Sequence, residues 1–450
     1  MSQPRSSAAH PVRFPDLKSP QVMTRRAWWL VGLNLLIPGS AQLLAGSRRL
    51  GRFAVSTTFL LWGAVVVAVL LFWLAPAVIY SVATNAVGLT IVQVLLAGFA
   101  LLWAILTLNT LHLVRLVKTG PLARAFIACL AVIAVIATAG TASYGAVVAG
   151  TARSSIASVF SAGAGYVAPS NGRYNVLLLG GDAGADRMGL RPDSTSVASV
   201  DAVTGATIII GIPRNMEQIP FVAGSPLWGP FPNGYNCGDK CLINYLYTYG
   251  EEHASLYPHA VARGSSAGIE AMRDSTEAVL GIKIQFFALI DMRGFADLVD
   301  ALGGVTVDVP TRTPIGGVTG RKPIGWIEAG TQHMDGYTAL WYGRSRYASN
   351  DFDRMARQRV VQQAIIKQFQ PSIVLSKFQE IAKAGAQVVK TDVPASMLGQ
   401  FVALGEMGRK LPVAQLELVP PEFDSAQPDY DKIHAAVKAA IAPRKATPKP

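Results

Sequence analysis

Three long stretches of this 450-residue chain, Phe53 to Tyr80, Val87 to Val114 and Ala125 to Val148, contain no Asp, Glu, Lys or Arg. Each is long enough to cross roughly 30 Å of hydrocarbon as a helix, so the sequence predicts three membrane spans in the N-terminal third. The basic residues set their direction. Arg48, Arg49 and Arg52 precede the first run, and Arg115, Lys118 and Arg124 join the second to the third, whereas the loop around Ser81 to Asn85 is uncharged. By the positive-inside rule the basic loops are cytoplasmic and the chain leaves the third span on the outer side, so the region after the spans is extracytoplasmic.

Residues 1–26 read as a basic cytoplasmic tail, and 27–150 as the membrane region. Within it, the apolar stretch Ala27 to Ala45 is interrupted by Pro38-Gly39 and flanked by arginines on both sides. A re-entrant or interfacial hairpin satisfies that pattern; a fourth span would carry the basic tail outside, against the charge rule. No cleavable signal peptide is evident. Residues 151–172, rich in Ser, Ala and Gly, read as a linker. The formal net charge of +12 raises nucleic acid as a partner, but residues 1–150 hold eleven Lys and Arg against the single acid Asp16, leaving only +2 for residues 151–450. The excess is juxtamembrane, and no nucleic-acid role is expected.

Beyond the linker the pattern changes to short β-branched runs. Tyr174–Gly180, Thr195–Asp201 and Ala206–Ile212 predict three strands, with a hairpin turn at Ala202–Gly205. Gln285–Ile290 and Val305–Val309 predict strands around a helix at Met292–Leu302, a strand-helix-strand unit closed by Gly303-Gly304. Further helices are expected at 262–280, 350–369, 373–386 and 394–407, with a late strand at 415–419. The mixture predicts a three-layer α/β/α domain with a central mixed sheet over residues 173–425, followed at 426–450 by a C-terminal helix and a disordered tail. Cys237 and Cys241 (NCGDKC) lie where oxidation is permitted, and their spacing allows a disulfide or two free thiols, the disulfide being favoured.

The segment Gly343–Arg359 (GRSRYASNDFDRMARQR) holds five arginines and two aspartates in a chain only 15% charged. Arginine forks match phosphate oxygens in pairs, so this density fits a phosphate or pyrophosphate cradle, although a solvated helix face with i,i+4 pairs such as Asp353–Arg357 would read the same way. Other charged residues follow strands directly, where ligands gather in open α/β sheets. Asp182 follows the first strand after Gly180-Gly181, Arg191 and Asp193 (GLRPDS) open the second, and Arg214 (IPRN) follows the third. Two carboxylates with converging arginines suit Mg²⁺ or Mn²⁺ and a pyrophosphate, while each aspartate taken alone also suits a turn cap or a strand start.

The ordered motifs NVLLLGGD, RPDS, IPRN, FADLVDALGGVTVDVP, EAGTQHMDGYTALWYGRSR and NDFDRMARQR resemble those of the LytR-CpsA-Psr family of cell-wall glycopolymer transferases, over residues 174 to about 370. The membrane block is similar to that of multi-span actinobacterial members. The resemblance implies a multi-pass cell-membrane enzyme that moves a glycopolymer (teichoic acid or another wall polysaccharide) from a polyprenyl-pyrophosphate carrier to a peptidoglycan hydroxyl, releasing polyprenyl phosphate. Its partners would be the lipid-linked glycan, peptidoglycan and membrane lipid. It implies metal-associated roles for Asp182 and Asp193, and pyrophosphate contacts for Arg191, Arg214, Arg344, Arg346, Arg354, Arg357 and Gln358. Asp182, Asp193, Arg214, Arg344 and Arg354 are the expected catalytic set, with Asp193 or Asp182 as candidate base. Two positions depart from the family pattern: Asn215 replaces an aspartate, and Arg359 replaces a common second glutamine. A pyrophosphatase using water, or a lipid-binding regulatory protein without catalysis, are the competing expectations. The prenyl chain needs an apolar slot, for which Ile365, Ile366, Phe369, Ile373, Val374 and Leu375 are candidates, core packing being the commoner role of such residues.

Overall fold

The computed structural model describes residues 12–160, 165–182, 191–317, 322–347, 349–368 and 389–442. The helix expected at 373–386 lies outside the described residues. Two compact units are present, one reaching to Arg153 and one starting at Ser154, with Ala83–Asn85 grouped with the second.

The first unit is helical. Helices α1 (Pro20–Leu36) and α2 (Ser40–Ala45) are separated by the Pro38-Gly39 break; α3 (Arg48–Leu74), α4 (Pro76–Thr84) and α5 (Ala86–Val114) follow. Then α6 (Pro121–Val135) continues through one π-helical turn at Ile136–Gly140 into α7 (Thr141–Val159). Among the described residues three helices are long and apolar enough to cross a membrane: Arg48–Leu74, Ala86–Lys118 and Pro121–Ser154. Gly39 takes φ +93°, and a Cβ there would come within 2.5 Å of Ala54 Cβ; a Cβ on Gly51 would sit 2.4 Å from Leu43 N. Glycine at both positions lets α2 fold back against the start of α3. The composition of 151–172 reads as linker, yet α7 carries helix as far as Val159. Its alanines sustain a helix that the preceding span has already nucleated.

The second unit is a mixed α/β domain. Its main sheet has the order β10-β3-β2-β1-β4-β9. The strands are β1 (Arg173–Asp182), β2 (Arg191–Asp201), β3 (Thr207–Ile212), β4 (Phe286–Asp291), β9 (Val389–Thr391) and β10 (Ala414–Glu417). β1 pairs antiparallel with β2 and parallel with β4, β3 is antiparallel to β2 and parallel to β10, and β9 runs antiparallel on the β4 edge. Alternation decides the two faces. Leu177, Leu179, Val197, Ile208, Ile210, Ile212, Phe287 and Leu289 share the larger core with α8 (Tyr245–Glu252), α9 (Ala267–Leu280) and the C-terminal helix Tyr430–Ile441. On the opposite face Tyr174 and Phe286 pack against α13 (Leu398–Gly408), and the C-terminal helix is α14.

The strand-helix-strand segment is present as β4, α10 (Met292–Ala301) and β5 (Val305–Val309), but β5 leaves the main sheet and pairs antiparallel with β8 (Gly330–Met334). Its buried-exposed alternation explains this, because a central parallel strand is buried on both faces. A second ribbon joins β6 (Thr313–Ile315) to β7 (Gly325–Ile327). Between these ribbons and the sheet lie α11 (Gly336–Arg344) and α12 (Asp351–Gln368). A Cβ on Gly336 would sit 2.0 Å from Ala296 O, so the start of α11 is pressed onto α10. Asp335 caps α11, and Asn350 with Asp353 form a reciprocal capping box on α12 (2.8 and 3.1 Å).

A disulfide joins Cys237 and Cys241, whose Cα atoms are 5.1 Å apart. Because it closes a very short loop it should contribute only about 2 kcal/mol. Alkylation of the denatured full chain should label one cysteine, Cys129, without reductant and three with it; three labels in both conditions would mean the bridge does not form.

Candidate pyrophosphate site

The arginine-rich segment splits into two structural roles. Arg357 and Gln358 engage the chain itself: Arg357 Nε donates to Tyr342 O (2.9 Å), its Nη2 donates to Ser345 O and to Ser349 Oγ (3.2 Å), and Gln358 Nε2 donates to Gly343 O (3.2 Å). These donors satisfy the carbonyls left open at the end of α11 and hold the following loop. Burial lowers the Arg357 pKa from its ordinary value. Arg344 sits on the last turn of α11 with its guanidinium 5.4 Å from the Trp341 ring centroid.

Arg346, in the loop so held, belongs to a charged cluster built from four separate parts of the chain. Asp193 lies at the start of β2, Arg214 two residues past β3, and Asp351 and Arg354 on the first turn of α12. Arg214 bridges both carboxylates, with Nη1 2.9 Å from Asp193 Oδ1 and Nε 2.8 Å from Asp351 Oδ2. Arg346 makes longer pairs, 3.5 Å to Asp193 Oδ2 and 3.5 Å to Asp351 Oδ1. Arg354 Nη2 donates to Asp193 O (3.2 Å) and lies 3.7 Å from Asp351 Oδ1. Among the described residues three guanidiniums face two carboxylates, an excess of one positive charge.

Burial decides how these charges behave. The Arg354 side chain is only 3% exposed, and its pKa is pushed down to about 10 by burial and by the neighbouring Arg346 and Arg214, against the pull of Asp351. Its Nε has no hydrogen-bond partner among the described residues. A buried, charged, partly unsatisfied guanidinium is costly unless something else completes its shell. Burial alone would raise the Asp351 carboxyl, but Arg354, Arg214 and Arg346 outweigh it and hold it below the ordinary carboxylate range. The Arg214 guanidinium is likewise desolvated, yet Asp193 and Asp351 raise its pKa above the usual value.

Asp351 was not among the site residues expected from sequence, although it touches all three arginines. The available signal was its i,i+3 spacing to Arg354 behind an Asn helix cap. Asp353, which the i,i+4 rule matched to Arg357, is instead the capping partner of Asn350. Asp182 and Arg191 are opposite each other at the end of the β1–β2 ladder, past a register shift at Gly180-Gly181. Their side chains lie outside the described residues. That register brings the backbone of Asp182 close to the strand end carrying Asp193. Among the described residues no three His, Cys, Asp or Glu side chains converge on a metal-sized space. The donor chemistry nonetheless fits a hard cation: among the described residues Asp193 Oδ2 has only the 3.5 Å contact, and Mg²⁺ takes one or two carboxylates with phosphate oxygens and water. Ile365 packs into the smaller core with Val360 and Val361, and the slot candidates Phe369, Ile373, Val374 and Leu375 lie outside the described residues.

Arg359 is the second departure from the expected motif, and its side chain is 1% exposed. Its Nε lies 3.0 Å from Glu417 Oε1 on β10, and its Nη2 donates to Thr195 O (3.3 Å) on β2. A Cβ on Gly211 would come within 2.1 Å of Glu417 Oε2, so the glycine of β3 makes room for this carboxylate.

The fold and site together define a membrane-anchored α/β protein with an arginine-carboxylate cluster at its strand ends. Residues 139–421 match the LytR_cpsA_psr family, and the chain belongs to it. Relatives include the polyisoprenyl-teichoic acid–peptidoglycan teichoic acid transferases TagU of Enterococcus faecalis (29% identical, 49% of this chain and 61% of that protein) and of Bacillus mycoides (27%, 49% and 60%). Biofilm regulatory protein A of Streptococcus mutans is 26% identical over 50% of each chain. The match thus spans between half and three-fifths of these relatives' length. The crystal structure of Bacillus subtilis TagV is similar at a TM-score of 0.43 and 20% identity, over 60% of this chain and 98% of that one.

Proposed function

We propose that this chain is a multi-pass membrane phosphotransferase that moves a glycopolymer from a polyprenyl-pyrophosphate carrier to a peptidoglycan hydroxyl. The observation that carries this reading is Arg354, buried, charged and with no hydrogen-bond partner for its Nε among the described residues, beside Arg214 and Arg346. Such a guanidinium group is completed by a phosphate oxygen, and its neighbours supply the remaining charge. The acceptor hydroxyl attacks the phosphorus next to the sugar, and the bond between that phosphorus and the bridging oxygen breaks. The glycan phosphate becomes a diester, polyprenyl phosphate leaves, and the hydroxyl proton passes to a carboxylate, Asp193 or Asp182. Arg214, Arg346 and Arg354 bind and orient the pyrophosphate and offset the charge that builds on the leaving phosphate. A Mg²⁺ held by Asp182 and Asp193 would supply further charge neutralisation there. The positive-inside pattern supports an extracytoplasmic position for the domain, on the side where peptidoglycan lies.

Purified full-length protein in detergent, given a polyprenyl-pyrophosphate glycan and peptidoglycan fragments, should release polyprenyl phosphate and form glycan joined to peptidoglycan. Free glycan phosphate in the presence of abundant acceptor would identify a pyrophosphatase instead. Tight carrier binding with no product of either kind would identify a binding protein.

A further inference from the structure

The outer face of α11 leads away from the arginine cluster and is unusually aromatic. Tyr337, Trp341 and Arg344 are spaced by four and three residues, one stripe of a helix, while Gly336, Ala339, Tyr342 and Gly343 are the buried positions. The Tyr337 and Trp341 rings meet edge to face with centroids 6.3 Å apart, and the Arg344 guanidinium lies 5.4 Å from the Trp341 centroid. Tyr337 is 51% exposed, one of three exposed aromatic side chains described in the α/β unit, with Tyr166 and Trp326. Trp326 repeats the arrangement on the β6–β7 ribbon beside α11: Arg312 lies 4.3 Å from its ring centroid, and Arg312 Nε is 2.9 Å from Glu328 Oε1.

Two exposed rings, Tyr337 and Trp326, and the half-buried Trp341, accompanied by cations and a carboxylate, are wrong for an acyl or prenyl chain, which loses its advantage unless an enclosed apolar slot excludes water. They suit a sugar, whose axial C–H groups lie flat on an aromatic ring while its equatorial hydroxyls hydrogen-bond to charged neighbours. The position also fits. Arg344 precedes Arg346 of the cluster by two residues, and α11 rises about 10 Å between Tyr337 and Arg344, the length of roughly two linked pyranose rings. We propose that the Tyr337–Trp341–Arg344 face of α11 is a glycan subsite that binds the sugar residues next to the pyrophosphate of the carrier-linked substrate. This rests on the reading of the cluster as a pyrophosphate site.

The test compares two probes on the full-length protein in detergent: polyprenyl pyrophosphate alone, and the same carrier bearing a disaccharide. Tyr337→Ala and Trp341→Ala should each weaken binding of the disaccharide carrier about fivefold and leave the bare carrier unchanged, with Tyr337→Phe close to wild type. Equal weakening of both probes would mean that the face holds the prenyl chain or only supports the fold, and would overturn the subsite. So would undiminished affinity in all variants. Wild-type protein that binds the bare carrier without gaining from the disaccharide removes the subsite alone; wild-type protein that binds neither probe removes the transfer reading with it.

Discussion

Glu417→Ala should destabilise the α/β unit by about 3–5 kcal/mol, read as a lower urea midpoint at unchanged slope. The carboxylate pairs with Arg359, whose guanidinium is 1% exposed, and its removal leaves a cation in the interior between α12 and the sheet. Arginine cannot relieve this by losing its proton. The reciprocal change is milder for that reason. In Arg359→Gln the survivor is Glu417, whose pKa burial already raises against the opposing pull of Arg359, and a carboxyl can become neutral. Its folded pKa, freed of Arg359, moves further above the unfolded value. A group shifted in that direction contributes stability that is complete below the unfolded pKa and is lost as pH rises through the folded one. Arg359→Gln should therefore be nearly as stable as wild type near pH 4 and fall behind as pH rises towards 8. Glu417→Ala should show no such recovery in acid. Equal losses for the two variants at every pH would mean that the pair is hydrated and contributes little.

What could be read from sequence followed how many residues carried each signal. The spans and the main-sheet strands β1 to β4 are long or strongly β-branched, so their periodicity survives any context. β6, β7 and β9 have three residues each, too few for a period, and α11 is bounded by Gly336 and ends in Gly343-Arg344, a composition that resembles a loop. The linker-like residues up to Val159 are helical because a span precedes them, a fact of neighbourhood rather than composition. The site shows the same limit. That arginines converge follows from their number. Which carboxylate meets them depends on where α12 begins: with Asn350 as cap, Asp353 turns back to the helix start and Asp351 faces Arg354. Arg357 and Gln358 cap α11 because that helix, whose sequence resembles a loop, ends beside them.

Arg354→Met should reduce glycan transfer by about 10²–10³ while leaving the fold as stable as wild type or more so, the first figure being typical for loss of one preorganised charge-stabilising donor. The two halves of this expectation come from the same burial. Holding Arg354 charged costs desolvation, which is why its pKa is pushed down to about 10, and among the described residues its Nε gains no hydrogen bond in return. A methionine of similar length removes that cost and fills the space. Asp351 keeps Arg214 at 2.8 Å and Arg346 at 3.5 Å, so among the described residues no carboxylate is stranded and only Asp193 O loses a donor. Were Arg354 simply part of a structural ion network, the change would instead lower stability by several kcal/mol, and activity would fall only as far as the folded fraction does. Urea melts and initial rates on the same preparation separate the two. A stable, inactive Arg354→Met protein means that the buried charge is retained for the substrate rather than for the fold.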